Sequence, residues 1–213
     1  MATAKNGKEQ SFTGMVGNLV YCNWKGIPYV RSRPDVRNLK RSRLQVKANS
    51  KFKKLQLMLS QILPYIRQGF KNFNKEWTSH NSAMSYNLKH AIVEKDSNFE
   101  IDWSSFSISR GIENPIIGYT LVVNKGKMII NWQINIDHVE KQNLWKYRCM
   151  ILAYPENSEN QVFGVVNGSL LDELKHSIHF IKPTETAVYH VYIAFLSNDG
   201  SSKSTNSIYL GKV

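Results

Sequence analysis

From Ser42 onward, the apolar residues Leu44, Ala48, Phe52, Leu55, Leu59, Ile62, Ile66, Phe70, Phe73 and Trp77 recur at intervals of three and four. That spacing draws one apolar face along a helix of about nine turns. Pro64 lies inside the pattern and lacks the N–H that a helix interior needs, so a kink or a break into two helices is expected there. Gly69 weakens the second half. Arg43, Lys47 and Lys54 fall on a stripe away from the apolar face, and Lys51 flanks it. A weaker pattern around Ala83, Met84, Leu88 and Ile92 predicts another helix over 78–93.

Period two governs the rest. Two short β-prone runs flank Asn23-Trp24-Lys25-Gly26, which predicts a hairpin with a four-residue turn. Alternation puts Tyr29, Arg31 and Arg33 on one face of its second strand, and Pro34 ends that strand. From about Phe99, short β-prone runs predict strands at Phe99–Ile108, Ile116–Val123, Met128–Ile136, Trp145–Ala153, Gln161–Val166, Ala187–Leu196 and Ser207–Leu210. Gly168–Lys175 is expected to be one helical turn or a loop. The expected fold class is α+β: an N-terminal β-hairpin and a kinked amphipathic helix, followed by an antiparallel β-sandwich. The divisions read from the sequence are a disordered tail over 1–10, a basic hairpin-plus-helix region over 11–95 and the sandwich over 96–213.

Charge sharpens this division. Residues 1–100 hold 18 Lys and Arg against 6 Asp and Glu, while residues 101–213 hold 10 of each. The whole excess of +12 therefore lies in the first half. It concentrates in Lys25, Arg31, Arg33, Arg37, Lys40, Arg41, Arg43, Lys47, Lys51, Lys53 and Lys54, with Asp35 the one acid in that window. Such a stretch suits a polyanion: an acidic protein face, nucleic acid or an anionic lipid surface. The longest uncharged, mostly apolar run, Leu55–Ile66, is too short to cross a bilayer. The N-terminus has no apolar core of a secretory signal, so a cytoplasmic location is expected.

Catalytic chemistry finds little support. Cys22 and Cys149 fall in different predicted regions and are expected to be buried free thiols, a disulfide requiring the hairpin to pack on the sandwich. His176, His179 and His190 could bind zinc, but no cysteine or carboxylate stands beside them at ligand spacing. Gly200-Ser201-Ser202-Lys203-Ser204 lacks the first glycine of a phosphate loop and the helix that should follow, and reads as a turn. No nucleophile elbow exists, so no cofactor, metal or enzymatic activity is expected. Trp24, at the hairpin tip, is the aromatic expected to be exposed, and with Arg31 and Arg33 it forms a candidate contact patch.

Two resemblances add to this reading. Met128-Ile129-Ile130-Asn131-Trp132 resembles the tryptophan-bearing second strand of a fibronectin type III domain. Ile181-Lys182-Pro183-Thr184-Glu185-Thr186-Ala187-Val188-Tyr189 through Phe195, followed by Asn198-Asp199-Gly200-Ser201, is similar to its penultimate strand and final turn. The resemblance implies that Tyr189 is a corner tyrosine whose hydroxyl bonds back to the backbone. The chain as a whole also resembles a Bacteroidota family of unknown function. That likeness rests on Gly14-x-x-Gly17-Asn18, Lys25-Gly26, Tyr29-Val30-Arg31-Ser32-Arg33-Pro34, Gln45, Pro64, Gly69-Phe70, Ile108-Ser109-Arg110-Gly111 and Tyr209-Leu210-Gly211. It implies a bacterial protein with a helical N-terminal part and an Ig-like C-terminal domain, and no catalytic residue. A looser similarity of the N-terminal element to phage structural proteins implies association with a phage particle as an alternative location.

The expected function is non-enzymatic binding or assembly. A basic N-terminal region would dock an acidic partner or a neighbouring subunit through Trp24, Arg31, Arg33, Arg37, Arg41, Arg43, Lys47 and Lys54. The alternative is a sequence-nonspecific nucleic-acid binder using the same cations on phosphates. An enzyme gathering His176, His179 or Cys149 in a deep pocket is the third reading.

Overall fold

A computed structural model describes residues 3–4, 12–24, 26–35, 40–74, 76–95, 98–124, 126–157 and 159–213. The chain forms two compact units, Met1–Ser42 and Arg43–Val213. The fold is mixed α+β, with helices and antiparallel sheets.

The N-terminal unit is one antiparallel sheet of β1 (Thr3–Ala4), β2 (Phe12–Val16), β3 (Leu19–Trp24) and β4 (Ile27–Ser32), in that order. Gly17 opens the β2–β3 turn at φ 58° and Gly26 closes the β3–β4 turn at φ 86°, conformations that favour glycine. The predicted hairpin is tighter than expected, because Trp24 pairs directly with Ile27. The strand β2 was not anticipated: Gly14, at φ 129°, interrupts its β-prone sequence. Of the tail expected to be disordered, Thr3–Ala4 pair with β2, and the other positions lie outside the described residues. Pro28 sits within β4 without breaking a ladder bond. Arg33 N–H donates to Asn18 O at 2.8 Å, so odd-numbered β4 amides face β3 and position 28 faces the open edge.

In the second unit, the predicted helix divides into α1 (Arg43–Gln61) and α2 (Leu63–Gly69). Pro64 falls in the first turn of α2, where a missing N–H is harmless. Leu55, Leu59, Ile62, Ile66 and Phe70 are all fully buried, whereas Leu44 is 78% exposed and Phe52 is exposed as well. The apolar face is therefore covered only over its central part. It ends at Gly69, where an added Cβ would lie 2.2 Å from the Ile108 carbonyl oxygen. The Gly69 carbonyl accepts from Arg110 N–H, Ser109 Oγ and Ser204 Oγ at 3.0, 3.1 and 2.9 Å. Phe73 and Trp77, expected to continue the helix, lie in the turn beyond it. α3 (Ser79–His90) starts on Thr78, whose side chain accepts from Asn81 N–H.

After the hairpin of β5 (Ile92–Lys95) and β6 (Asn98–Ile101), two further sheets form. One contains β11 (Lys175–His179), β8 (Lys127–Ile134) and β7 (Ile116–Asn124), in that order. The other runs β10 (Phe163–Val165), β9 (Tyr147–Pro155), β12 (Tyr189–Ser197) and β13 (Ile208–Lys212). A short helix, α4 (Ile136–Gln142), links β8 to β9. The strand expected over Phe99–Ile108 stops at Ile101, because the Asp102 carboxylate takes the Ser104 N–H and the hydroxyls of Ser104 and Ser105.

β9 and β12 are buried on both faces. Cys149, Ile151, Ala153, Val191, Ile193 and Phe195 share a cluster with Met128, Ile130 and Trp132 of β8. Met150, Leu152, Tyr154, Tyr192 and Ala194 share a second cluster with Leu55, Leu59, Ile66 and Phe70 of the helices. The helices thus belong to the same compact unit as the sheets. The boundary between units falls after Ser42, whereas composition placed one at 95/96. The corner bond expected for Tyr189 does not form: its hydroxyl is buried without a partner, and its ring is enclosed by Phe163 and Phe180. Trp132 is satisfied differently, its Nε1–H donating to Leu171 O at 2.9 Å.

Candidate interaction site

The register of the N-terminal sheet sorts its side chains. Pairs Met15↔Val20, Val20↔Arg31, Cys22↔Tyr29 and Trp24↔Ile27 stand on one face. Val16, Leu19, Tyr21 and Val30 stand on the other. Not one residue of this unit whose exposure is described is buried. Ile27 is 62% exposed and Trp24 49%. Apolar side chains therefore line both faces of a small sheet, and Arg31 joins Trp24, Ile27 and Tyr29 on one of them. The Cys22 thiol, hydrogen-bonded to Tyr29, raises the phenol above its ordinary pKa.

The predicted contact residues divide between the units. Trp24, Arg31, Arg33 and Arg41 are exposed in the N-terminal unit, and Arg37 lies outside the described residues. Arg43 is exposed at the first position of α1. Lys47 pairs with Glu94 of β5 at 2.5 Å, with its ammonium 6.0 Å from the centre of the Phe99 ring. Lys54 Nζ donates to the Phe99 carbonyl. These two cations are thus engaged by the β5–β6 hairpin. Sequence reasoning missed this because β5 carries only Ile92, Val93, Glu94 and Lys95, too short a run to signal a strand.

Beside the same hairpin lies a groove of about 650 Å³, lined by Lys54, Met58, Gln61, Glu100, Trp103 and Tyr154 among others. Tyr154 OH donates to Gln61 Oε1 at 2.6 Å, and burial pushes the phenol up to about 12. The groove combines an apolar floor with charges of both signs on its rim. Nothing in the sequence pattern marked Trp103 or Tyr154 as neighbours of α1.

Cys149 and His176 come together beside Gly168, and His179 does not join them. Cys22 and Cys149 are free thiols, but only Cys149 is buried as expected; Cys22 is half-exposed because nothing among the described residues covers its sheet. β11 places His176 and His179 on opposite faces, three residues apart. Cys149 Sγ and His176 Nε2 both crowd Gly168, where an added Cβ would stand 2.6 and 3.0 Å from them. His176 Nδ1 accepts the Ser169 N–H at 3.2 Å, so the neutral ring carries its proton on Nε2. Burial pushes the Cys149 thiol up to about 12, which disfavours the thiolate. Among the described residues no three ligand-type side chains gather as a metal site, and no helix is long and apolar enough to cross a membrane.

One protein-family model, described as a family of unknown function (DUF6266), matches residues 11–211. No curated protein matches the chain. The match spans both units, and the chain belongs to this family.

Proposed function

We propose that this member of the DUF6266 family is a non-enzymatic docking or assembly protein, whose N-terminal sheet binds an acidic protein partner. One observation carries the reading: a four-stranded sheet with apolar side chains on both faces and no described residue buried. A sheet that small needs something packed on it for stability. Arg31 lies on the Trp24 face, and Arg33 and Arg41 are exposed in the same unit. An acidic partner complements them, whereas a second copy laid face to face would bring the same positive charge to the interface. Trp24, Ile27 and Tyr29 supply the apolar anchor. In the second unit, the shared core of the two larger sheets supports reading them as a fibronectin-type-III-like sandwich that presents this docking element. A cytoplasmic setting remains part of the proposal.

Nucleic acid is the second reading, favoured by exposed Arg31, Arg33, Arg41 and Arg43. Engagement of Lys47 and Lys54 inside the second unit removes two of its phosphate contacts. Light scattering of the full chain across a salt series, with polyglutamate or mixed-sequence duplex DNA, separates the cases. Polyglutamate binding that is lost in the double variant Arg31→Glu/Arg33→Glu supports the protein partner. Steeply salt-dependent DNA binding without polyglutamate binding supports nucleic acid. A salt-indifferent oligomer with neither ligand bound supports a second copy.

A further inference from the structure

β7 forms one edge of its three-stranded sheet. Trp132 N–H of β8 donates to Leu174 O on the β11 side at 2.9 Å, so even-numbered β8 amides face β11 and odd-numbered ones face β7. The β7 residues opposite those odd positions are Gly118, Thr120 and Val122, whose main-chain groups are taken by β8. Tyr119, Leu121 and Val123 therefore turn N–H and C=O toward the open edge. Among the described residues, no other element supplies them a backbone bond. The register shifts only between Ile116 and Gly118, so these rungs are regular.

Sheet edges discourage strand addition by charge, proline or brevity. The other described edges use these devices. β4 has Pro28 and Arg31, β11 has Lys175 and β13 has Lys212. The β5–β6 hairpin has Lys95 and Glu100, and β1 and β10 are only two and three residues long. β7 runs for nine residues without a charge or a proline. Tyr119, Leu121 and Val123 pair with Trp132, Ile130 and Met128, so they stand on the face that packs into the core. Tyr119 is nevertheless 42% exposed and Val123 39%, because the sheet ends there and no next strand covers them. On the reverse face Val122 is exposed as well.

We infer that β7 is a self-association edge, which pairs antiparallel with β7 of a second copy about a two-fold axis at Leu121. That axis sets Leu121 against Leu121, and Tyr119 of each copy against Val123 of the other, each pair exchanging both its main-chain bonds. It also sets Thr120 against Val122. An aromatic opposite a β-branched residue, and two β-branched residues opposite each other, are favourable cross-strand pairs, and no like charges meet. The strand is thus complementary to itself in the antiparallel sense. Residues 101–213 carry equal numbers of acids and bases, so two copies meet there without the repulsion that the basic first half would bring. An unrelated extended segment would gain the main-chain bonds without this side-chain match. The edge is separate from the N-terminal sheet, and either proposal can fail alone.

The test is sedimentation equilibrium of the full chain from micromolar to millimolar concentration, with amide hydrogen exchange measured at both ends of that range. The expected result is a monomer–dimer equilibrium. The amides of Tyr119, Leu121 and Val123 should exchange quickly in dilute protein and slowly in concentrated protein, while those of Thr120 and Val122 stay protected throughout. Val123→Pro removes an edge N–H but no bond to β8, and should weaken dimerisation about tenfold or more. Val123→Thr, which keeps the N–H and the branched shape, should stay within about twofold of the wild type. Arg31→Glu/Arg33→Glu should dimerise like the wild type. A chain that stays monomeric overturns the inference and leaves the edge to a foreign strand. A dimer whose edge amides remain fast to exchange also overturns it, because the copies then meet elsewhere, and so does unaltered dimerisation of a folded Val123→Pro. Exchange in the wild-type chain gives its answer even if that variant folds poorly.

Discussion

β3 and β12 are both central strands of four-stranded antiparallel sheets, yet their surroundings are opposite. Tyr189 to Phe195 of β12 are buried without interruption, one face against β8 and the other against the helices. No residue of β3 is buried on either face. Both strands are rich in apolar and aromatic residues, so hydrophobicity alone does not decide burial. What differs is the supply of covering elements. β12 lies between a second sheet and three helices, and β3 belongs to a unit with no helix among its described residues. A buried two-faced strand derives its stability from its own chain. A bare two-faced strand has no such support from the elements described in its own unit.

The largest test of this contrast removes a ring from the double-faced sheet. Phe195→Ala empties a site between Trp132 and the other core residues of β12, and is expected to lower unfolding free energy by about 3–5 kcal/mol. Denaturant titration of the full chain reads it. A loss below about 1 kcal/mol would mean that the two sheets do not share a close-packed core. Gly69→Ala comes next. Its Cβ would collide with the backbone at Ile108 and Ser109, which cannot give way as a flexible side chain could. A cost of about 1–3 kcal/mol is expected from such overpacking, read by the same titration.

The asymmetry was only partly legible. Spacing of three and four marked α1 and α2, and Pro64 marked their division, because helical periodicity and proline chemistry are local. Whether a face is covered is not local. Leu44 and Leu59 fit the same pattern, and only the fold shows that one is bare and the other enclosed. β2 and β11 were missed because Gly14 and the polar Lys175-His176-Ser177 weaken the strand signal, while pairing partners elsewhere supply the ladder. Of the contact residues, Trp24 was expected to be exposed and is, and Arg31, Arg33, Arg41 and Arg43 are exposed as well. Engagement of Lys47 and Lys54 was hidden, since it depends on a hairpin more than forty residues away. Ile108-Ser109-Arg110-Gly111 was visible as a motif but not as a frame, because its partners Gly69 and Ser204 come from distant segments.

Acid acts on β12 through a buried histidine. His190 of β12 is buried, stacked on Trp103 at 3.9 Å, and its Nδ1 meets Tyr209 OH at 2.9 Å. Burial first, and Lys212 beside it second, lower its pKa from 6.5 to about 4. The folded state therefore refuses a proton that the unfolded chain accepts. The stabilising contribution is whole above pH 6.5 and declines as pH falls toward about 4. Asp102, held below its ordinary pKa by the Ser104 and Ser105 hydroxyls, loses its contribution at still lower pH. His190→Gln should flatten the slope of unfolding free energy against pH between these values. An unchanged slope would place the sensitivity elsewhere.

The smallest expected effect is the most informative about the bare sheet. Ile27 ends the turn from β3 and is the most exposed large apolar residue among those described in its unit. If nothing in the free chain covers that face, Ile27→Ser removes no buried area. Unfolding free energy should then change by no more than about 0.5 kcal/mol. Polyglutamate binding should nevertheless weaken, because the serine strips an apolar anchor beside Trp24. The opposite pattern, a loss of more than about 1 kcal/mol with binding intact, would mean that Ile27 is buried in the free chain. The sheet would then resemble β12 after all, covered by its own molecule. Comparing Ile27→Ser with Val30→Ser, on the reverse face, extends the test to both sides. A partner that covers one face gives a binding defect for one variant, whereas a sheet sandwiched between partners gives defects for both.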